Sequence, residues 1–411
     1  MMMRIALCSD SFLPIVDGVG RVVYQYASHL AREGHECYVI TPFQDAGFRG
    51  RFPFELVDFL SVKVPSAPQY ETGIAVFDLH YAERLSRIKL DLVHVHTPGF
   101  AGVEGVRLAG RLKIPLIGTF HSKYYDDFLR VTHSDVLASL GSRSVADFYA
   151  RCDEVWTVSE NAAETLHSYG YKGPIAIVPN GSEMRLPDPA FLHAAKAAYS
   201  LGDHPVLLYV GQIDFKKNLP RIIEAVARMK EHGHRVQLVF AGQGRDRLTL
   251  ERMCHEAGLE EVVFTGHIED RDILDGLYMA AELFVFPSLY DTAGLVVREA
   301  AAMGTPSVVV RGTAPAEVIR NGDNGLICED STESLCRSLE HYLYEMSASA
   351  RERMKRQAQK TIPRPWELVM QEVEERYRAV YCQPRCTRSL AGPRYPALRF
   401  HPDVRGKRGL S

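Results

Sequence analysis

Short runs of β-branched and aliphatic residues alternate with longer stretches of mixed polarity through the first 185 residues. Residues 5–8 predict a buried strand, and residues 21–33 place apolar side chains at the spacing of one helix face, which Gly34 ends. Five later runs have the same strand-like composition: residues 38–40, 92–95, 116–119, 155–158 and 175–178. Strands that alternate with helices predict a parallel sheet with right-handed crossovers.

The alternation restarts at residues 206–210, which are followed by a helix from about Asn218. Further strands are predicted at residues 236–241, 262–264, 283–286 and 307–310. The polar, proline-containing stretch 186–204 separates the two series and is interpreted as a linker. We therefore expect an α/β protein with two doubly wound, Rossmann-like domains, residues 1–185 and 205–364, that face each other across a cleft.

Three segments depart from this pattern. Residues 43–77 are the least periodic part of the first domain, which is typical of a functional or mobile segment. Residues 365–382 begin with a proline and predict a separate helix over 366–381. Residues 383–411 hold seven Lys or Arg and one Asp, and we interpret them as a basic, disordered tail. Contact of this tail with an anionic membrane surface is the alternative interpretation.

Composition and charge exclude several classes of protein. The 411 residues are 46% hydrophobic and 24% charged, which is ordinary for a globular protein and excludes a disordered chain or a fibre. The net charge is −3, and outside the basic tail the chain is acidic, which argues against nucleic acid as a partner. No apolar run is long enough for a transmembrane helix, and no secretory leader is recognisable. Because the cysteines are scattered, we expect reduced thiols and a cytoplasmic protein.

Glycines and lysines follow several predicted strands. The first such loop ends with Gly18 and Gly20 before a helix, where backbone N–H groups can approach an anion. Val23 occupies the third glycine position of a dinucleotide fingerprint, so a nicotinamide cofactor is only weakly indicated, and an ordinary glycine-rich turn is the alternative. In the second domain Lys216 and Lys217 stand beside a helix N-terminus, a position that suits a diphosphate, although such pairs are often only solvated.

The segment 286–300 carries the strongest signal. Asp291 and Glu299 are separated by seven residues, and a turn at Gly294 opens the helix that holds Glu299. Two carboxylates beside the free N–H groups of a helix start can bind sugar or ribose hydroxyls and a phosphate oxygen. A capping role for Asp291 and a surface position for Glu299 are the alternative, but apolar neighbours favour burial of Glu299.

With these residues in order, the chain up to about Tyr381 resembles the retaining GT-B glycosyltransferases of family 4. The resemblance rests on the co-occurrence of short motifs in both domains: Asp17–Val19, Thr119–His121, Val158–Glu160, Pro179–Gly181, Gly211 to Asn218, Phe264–Gly266, Asp291 with Glu299, Ala316–Glu317 and Asn324–Gly325. It implies two Rossmann-like domains, with the acceptor on the first, the nucleotide sugar on the second, and the last helix crossing back to the first.

The resemblance also implies roles for individual residues. His121 near the anomeric carbon, Lys217 at the leaving diphosphate and Asp291 at the donor sugar are expected to act in catalysis. Glu299 is expected to bind the ribose, and Gly18 to face the diphosphate. The full set expected to bind the donor is Gly18, Gln212, Lys217, Gly266, Ile268, Asp291, Ala293, Gly294, Leu295, Val296 and Glu299. No cofactor or metal is implied, and His94 and His96 are interpreted as structural.

Two positions depart from the family pattern. The first acidic residue is usually Glu, and Asp291 is one methylene shorter. The second phosphate-binding position is usually Arg, and Gln212 lacks its charge, for which Lys216 is a candidate replacement. We expect an active enzyme, because Lys217, His121 and Glu299 all remain.

The resemblance implies transfer of a hexose, glucose from a UDP sugar by our hypothesis, to an acceptor hydroxyl with retention at the anomeric carbon. Residues 9–19 and 93–98 look most like bacterial diacylglycerol glucosyltransferases, which implies a membrane lipid as acceptor and peripheral attachment to the inner face of the cell membrane. Because the first domain is not basic, attachment would use apolar side chains near residues 48–59 and the tail. The alternatives are a family 4 enzyme acting on a sugar, phosphoinositol or cell-wall precursor, a nucleotide-sugar epimerase, or a binding protein without turnover.

Overall fold

A computed structural model describes residues 1–13, 17–42, 51–64, 67–73 and 75–382. The strands are β1 (Arg4–Cys8), β2 (Glu36–Pro42), β3 (Glu55–Phe59), β4 (Val62–Val64), β5 (Ala67–Thr72), β6 (Leu92–Val95), β7 (Leu116–Phe120), β8 (Glu154–Thr157), β9 (Ala176–Ile177), β10 (Val206–Val210), β11 (Gln237–Ala241), β12 (Val262–Gly266), β13 (Ala281–Phe286), β14 (Ser307–Val310) and β15 (Gly325–Cys328). The predicted tail, residues 383–411, lies outside the described residues, as do parts of the segment 43–77.

Helices alternate with these strands. The α-helices are α1 (Gly18–Arg32), α2 (Leu79–Ser86), α3 (Phe100–Leu112), α4 (Tyr125–Thr132), α5 (Asp135–Tyr149), α6 (Glu160–Ser168), α7 (Pro189–Tyr199), α8 (Leu219–Glu231), α9 (Arg247–Glu256), α10 (Arg271–Ala280), α11 (Leu295–Ala302), α12 (Thr332–Glu340), α13 (Ala348–Thr361) and α14 (Trp366–Tyr381). Short 3-10 turns lie at Ala75–Phe77, Phe215–Lys217 and Ala314–Val318, and a π-helical turn, His341–Glu345, follows α12. None of the helices in the described ranges is long and apolar enough to cross a bilayer.

The strands form two parallel sheets, one in each domain. The first sheet has the order β3-β2-β1-β6-β7-β8-β9, and the second has the order β12-β11-β10-β13-β14-β15. All the strand pairs in both sheets are parallel. The predicted α/β class with two doubly wound domains is confirmed.

The strand order sets the place of a ligand. It reverses between β1 and β6 in the first sheet and between β10 and β13 in the second. In open parallel sheets, ligands bind outside the carboxyl ends of strands at such a reversal. The loops after β10 and β13 carry Lys217 and Asp291, so the strand order brings these two distant residues to the same crevice.

Helix α14 completes the core of the first domain. Trp366, Val369 and Tyr377 are buried with Tyr26 and Trp156 in one apolar cluster. This helix follows the second domain in the chain and therefore crosses back to the first, as the resemblance implies.

The second domain begins earlier than the sequence indicated. The stretch 186–204, interpreted as a linker, contains α7, with Asp188 as its N-cap. Ala195 of this helix is fully buried in the core of the second domain, against α10. Much of the stretch is therefore a helix packed on the second domain and not a linker. Its small apolar residues lie on one helix face, and the polar residues between them made the stretch look polar as a whole.

The aromatic side chains of residues 51–59 do not supply the expected apolar membrane contact, although Leu60 and Val62 directly after them are 68% and 66% exposed. Phe54 and Phe59 are 8% and 1% exposed. The ring of Phe54 packs against Phe12, Tyr24 and Phe52 at centroid distances of 4.9–6.1 Å. These aromatic side chains build the first domain's interior and are not available to a bilayer.

Candidate active site

A lysine–aspartate pair lies at the strand-order reversal of the second sheet. Lys217 Nζ is 2.8 and 2.9 Å from the two carboxylate oxygens of Asp291, and the Lys217 residue is 9% exposed. Lys217 ends the short 3-10 turn after β10, which Asp214 caps by accepting the Lys216 N–H group. Each charge neutralises the other within this pair.

A glycine turn follows Asp291 and starts α11. Gly294 has φ of +57°, and a Cβ atom there would lie 2.9 Å from Pro315 Cγ. No side chain caps this helix start, so backbone N–H groups at the start of α11 are available as hydrogen-bond donors to an anion. Three of the predicted donor-binding positions, Ala293, Leu295 and Val296, flank this turn.

Glu299 is buried one turn further into α11 and is surrounded by donors. Arg21 Nη2 lies 2.7 Å from Glu299 Oε1, and Arg271 Nη1 lies 3.5 Å from Oε2. Tyr278 donates its hydroxyl to Oε2 at 3.2 Å. Burial alone would raise the pKa of Glu299, but the two guanidinium groups and the hydroxyl outweigh it and lower that pKa. Glu299 is therefore an ionised acceptor at neutral pH.

Gln212 stands where the family usually has an arginine, and Lys216 is the candidate replacement for the lost charge. The two side chains lie in different surroundings. Gln212 is exposed directly after Gly211, and its carbonyl accepts the Tyr209 hydroxyl at 3.0 Å. Lys216 points across the cleft: its Nζ lies 4.4 Å from the centre of the Tyr290 ring and 3.9 Å from Asp127 Oδ1. Burial lowers the pKa of Lys216. This lysine is engaged with the first domain and is not simply a substitute beside Gln212.

His121 stands at the end of β7 on the first-domain side. Its Nε2 is 3.0 Å from His96 Nδ1, and burial lowers the pKa of His121 to about 3. Thr292, next to Asp291 in the chain, donates its hydroxyl to the backbone carbonyl of His121. The cleft therefore already brings the His121 strand end against the Asp291 loop.

The other predicted donor-binding residues lie at the cleft edge or in the sheet. Gly18 is the first residue of α1, which starts three residues before the predicted helix because Asp17 caps it by accepting the Gly20 N–H group. Gly266, with φ of +75°, ends β12, and its carbonyl accepts the Gly242 N–H group at 2.9 Å. Ile268 packs partly buried against the core of the second domain.

His94 is part of the first domain's framework, as interpreted from sequence. Its two ring nitrogens lie 2.6 Å from the Tyr377 hydroxyl and 2.7 Å from Thr119 Oγ1. His94 therefore ties β6 to both β7 and α14 and leaves no ring nitrogen for a metal.

Sequence reasoning missed the residues that hold the two domains together. Lys123 donates to the Leu289 carbonyl at 3.1 Å, and Tyr290 donates to the Lys123 carbonyl at 2.8 Å and to Asp127. In the sequence, the indication that Arg21 belongs to the site is its position three residues after Gly18 on the same helix. Its partner, Glu299, is 278 positions away, a separation that no local pattern can reveal.

A second interdomain contact lies beside the cleft. Glu317 accepts the N–H groups of Glu160 and Asn161 at 3.0 and 2.7 Å. These N–H groups belong to the first turn of α6, whose positive end attracts the carboxylate. Glu317 belongs to a motif that carried the family resemblance, and here it links the domains.

Family models match both halves of the chain. The description "Glycosyltransferase Family 4" applies to residues 16–184, and "Glycosyl transferases group 1" applies to residues 195–361. Two parallel-sheet domains that meet at a cleft, with a last helix that crosses back to the first, have the architecture of the GT-B class. The chain belongs to the GT-B glycosyltransferases with a family 4 first domain and a group 1 second domain.

Individual relatives and solved structures agree with this class. The chain is 27% identical to an alpha-monoglucosyldiacylglycerol synthase of Streptococcus pneumoniae, over 74% of this chain and 70% of that protein. It is 25% identical to a GDP-mannose-dependent alpha-mannosyltransferase of Corynebacterium glutamicum, over 92% and 89%. A sucrose-phosphate synthase from Thermosynechococcus elongatus superposes with a TM-score of 0.76 at 20% identity, over 92% of this chain and 99% of that one. Anabaena HepE in complex with UDP gives 0.73 at 17% identity, over 92% and 100%.

Proposed function

We propose that this glycosyltransferase moves a hexose, glucose from UDP-glucose in the first instance, to a hydroxyl of a diacylglycerol-type lipid with retention at the anomeric carbon. The observation that carries the proposal is the joint position of Lys217, Asp291 and Glu299 around the start of α11, facing His121 across the cleft. Cation, helix start and carboxylates together match the parts of a nucleotide sugar.

Each part of the donor has a partner of suitable chemistry. The diphosphate would replace Asp291 as the partner of the Lys217 ammonium group and would accept hydrogen bonds from N–H groups in the first turn of α11. Asp291, released from the lysine, would accept hydroxyls of the hexose. Ribose hydroxyls would donate to Glu299, which is held ionised by Arg21 and Arg271.

The transfer step needs no nucleophile from the protein. The bond between the anomeric carbon and the diphosphate oxygen breaks, and the acceptor oxygen bonds to that carbon from the same face. The acceptor proton passes to the departing diphosphate, so charge and atoms balance. Lys217 and the helix start stabilise the negative charge that grows on the leaving group, and domain closure holds the acceptor in place.

A lipid acceptor is supported by an apolar patch beside the cleft, formed by Val131, Val136, Leu137 and Leu140 on α4 and α5. These four side chains are 51–69% exposed. The same α4 carries Asp127, which binds Tyr290 of the donor-side loop. A lipid surface that covers this patch would therefore present its hydroxyls close to the cleft.

Release of nucleoside diphosphate from UDP-, GDP- and ADP-sugars, with and without vesicles that contain diacylglycerol, tests the proposal. We expect vesicle-stimulated release from UDP-glucose and a new glycolipid with an α linkage. Lys217→Ala and Glu299→Gln should both abolish product, whereas Lys196→Ala, an exposed lysine on α7, should not. GDP-mannose is the second donor to examine, because a GDP-mannose-dependent relative covers most of the chain. Vesicle-independent release would reject the lipid acceptor, and an inverted linkage would reject retention.

A further inference from the structure

Three side chains with metal-ligating atoms converge at the far end of α8, and a fourth, His234, lies next to one of them. His232, Cys336 and Glu340 place one ligand atom each within 4.8 Å of one another. His232 Nδ1 lies 2.7 Å from Glu340 Oε1, and His234 Nε2 lies 3.7 Å from the same oxygen. We propose that these residues form a binding site for a zinc-like divalent cation.

The backbone around the cluster favours such a site. Cys336 and Glu340 are four residues apart on α12 and so share one helix face. His232 is the C-cap of α8, where the negative end of the helix favours a cation. His234 follows two residues later, its ring stacked on Tyr344 at 4.0 Å, which fixes its orientation. Two short segments thus supply the three converging ligands, with His234 beside Glu340.

The donor set suits zinc. One thiolate, one imidazole and one carboxylate match the mixed sulfur, nitrogen and oxygen coordination that zinc accepts, and His234 is a candidate fourth ligand. In a tetrahedral zinc site, neighbouring ligand atoms lie roughly 3.3–3.8 Å apart. Side-chain rotations that move the ligand atoms by about 1 Å therefore suffice to close the cluster around an ion. Cys336 is buried and His232 is half exposed, which leaves an entry path from solvent.

The cation would stabilise the second domain and would take no part in the glycosyl transfer. Lys217 precedes the N-terminus of α8, and the 13 residues of that helix separate it from His232 by about 20 Å. Bound there, the ion would join the C-terminal ends of α8 and α12.

Cobalt is a suitable probe, because a cysteine thiolate gives Co²⁺ an intense charge-transfer band. Chelator-treated full-length protein should develop this band with one equivalent of Co²⁺, and Zn²⁺ should abolish it. Cys336→Ser should lose the band, and Cys254→Ser, at another buried cysteine of the second domain, should keep it. No band in the unaltered protein, or an equal band in Cys336→Ser, would overturn the proposal.

A second measurement does not depend on the cysteine. Zn²⁺ at a hundredfold excess over its Kd should raise the Tm of the chelated protein by about 3–6 °C. His232→Gln changes an exposed side chain and should leave the fold intact while removing most of this shift. An identical shift in His232→Gln would mean that the ion binds elsewhere.

Discussion

His94, His96 and His121 are buried side by side beneath the cleft, and each must stay neutral there. Burial lowers the pKa of His121 to about 3 and lowers the pKa values of the other two well below the ordinary range. An imidazole that is neutral throughout the physiological range can donate or accept a hydrogen bond near the sugar, but it cannot supply a positive charge. His121 therefore acts by position and hydrogen bonding in the proposed reaction.

The same burial predicts an acid-sensitive first domain. Because the folded pKa values are lowered, the unfolded chain binds more protons below about pH 6.5, and stability present above that pH is lost as the pH falls. Each such histidine should contribute about 1.4 kcal/mol per pH unit to the slope of unfolding free energy against pH. His96→Gln should reduce the slope by that amount in urea titrations between pH 6 and 4.5. His193→Gln, an exposed residue, is the control, and an equal slope in both variants would contradict the argument.

Gln212 allows a direct test of the leaving-group site. Gln212→Arg adds a cation at the position where the family carries one, and it should raise the rate of diphosphate release about tenfold if departure limits turnover. Gln243→Arg places the same charge on the next strand-end loop and should have little effect. A rise from near-zero activity would instead indicate a donor-binding protein without turnover. Equal effects of both variants would mean that Gln212 does not face the diphosphate.

At the scale of elements, the close approach of strand ends in the second sheet depends on glycine. Gly242 has φ of +144°, and a Cβ atom there would lie 1.9 Å from the Gly211 carbonyl oxygen. The end of β11 could not then pair with the loop that leads to Lys217.

Gly242→Ala should therefore lower the unfolding free energy by about 3 kcal/mol or more. Gly233→Ala is the matched control, because Gly233 also has a positive φ of +86° but open space around its Cβ position. Its cost should be only about 1–2 kcal/mol, that of a Cβ atom in the left-handed region. Comparable losses in denaturant titrations of the two variants would refute the role of close approach.

The sequence predicts a helix or strand best where the apolar pattern and the residues that begin or end the element agree. Helix α14 has its predicted bounds because Pro365 precedes it and its apolar face is continuous. The strands β3 and β15 were missed because each is short and lies at a sheet edge, where a weaker apolar pattern suffices. Within the candidate site, Lys217, Asp291 and Glu299 could be named from local motifs. Arg21 could not be, since its relation to Glu299 depends on how the domains meet.

At the scale of the whole molecule, Arg21 couples donor binding to domain contact. It reaches from the first domain to the carboxylate that is proposed to bind the ribose. Ribose hydroxyls would have to compete with this guanidinium, and domain contact would weaken as they bind.

Arg21→Ala should therefore bind UDP about fivefold more tightly, the equivalent of about 1 kcal/mol, and should turn over more slowly because closure loses a contact. Calorimetric titration with UDP and steady-state rates separate the two effects. Arg32→Ala, at the other end of α1, is the control. Weaker UDP binding in Arg21→Ala would show that the arginine assists the nucleotide directly.

The crossing helix also has a consequence for how the chain is made. Tyr26 and Trp156 emerge from the ribosome early, yet the surface that covers them, on Trp366 and Tyr377, is synthesised about two hundred residues after Trp156. At 5–20 residues per second, the nascent first domain waits roughly 10–40 s with an open apolar face. Folding of the first domain therefore finishes only after the second domain has been synthesised. A stalled or truncated polypeptide would expose this apolar face and would be bound by chaperones.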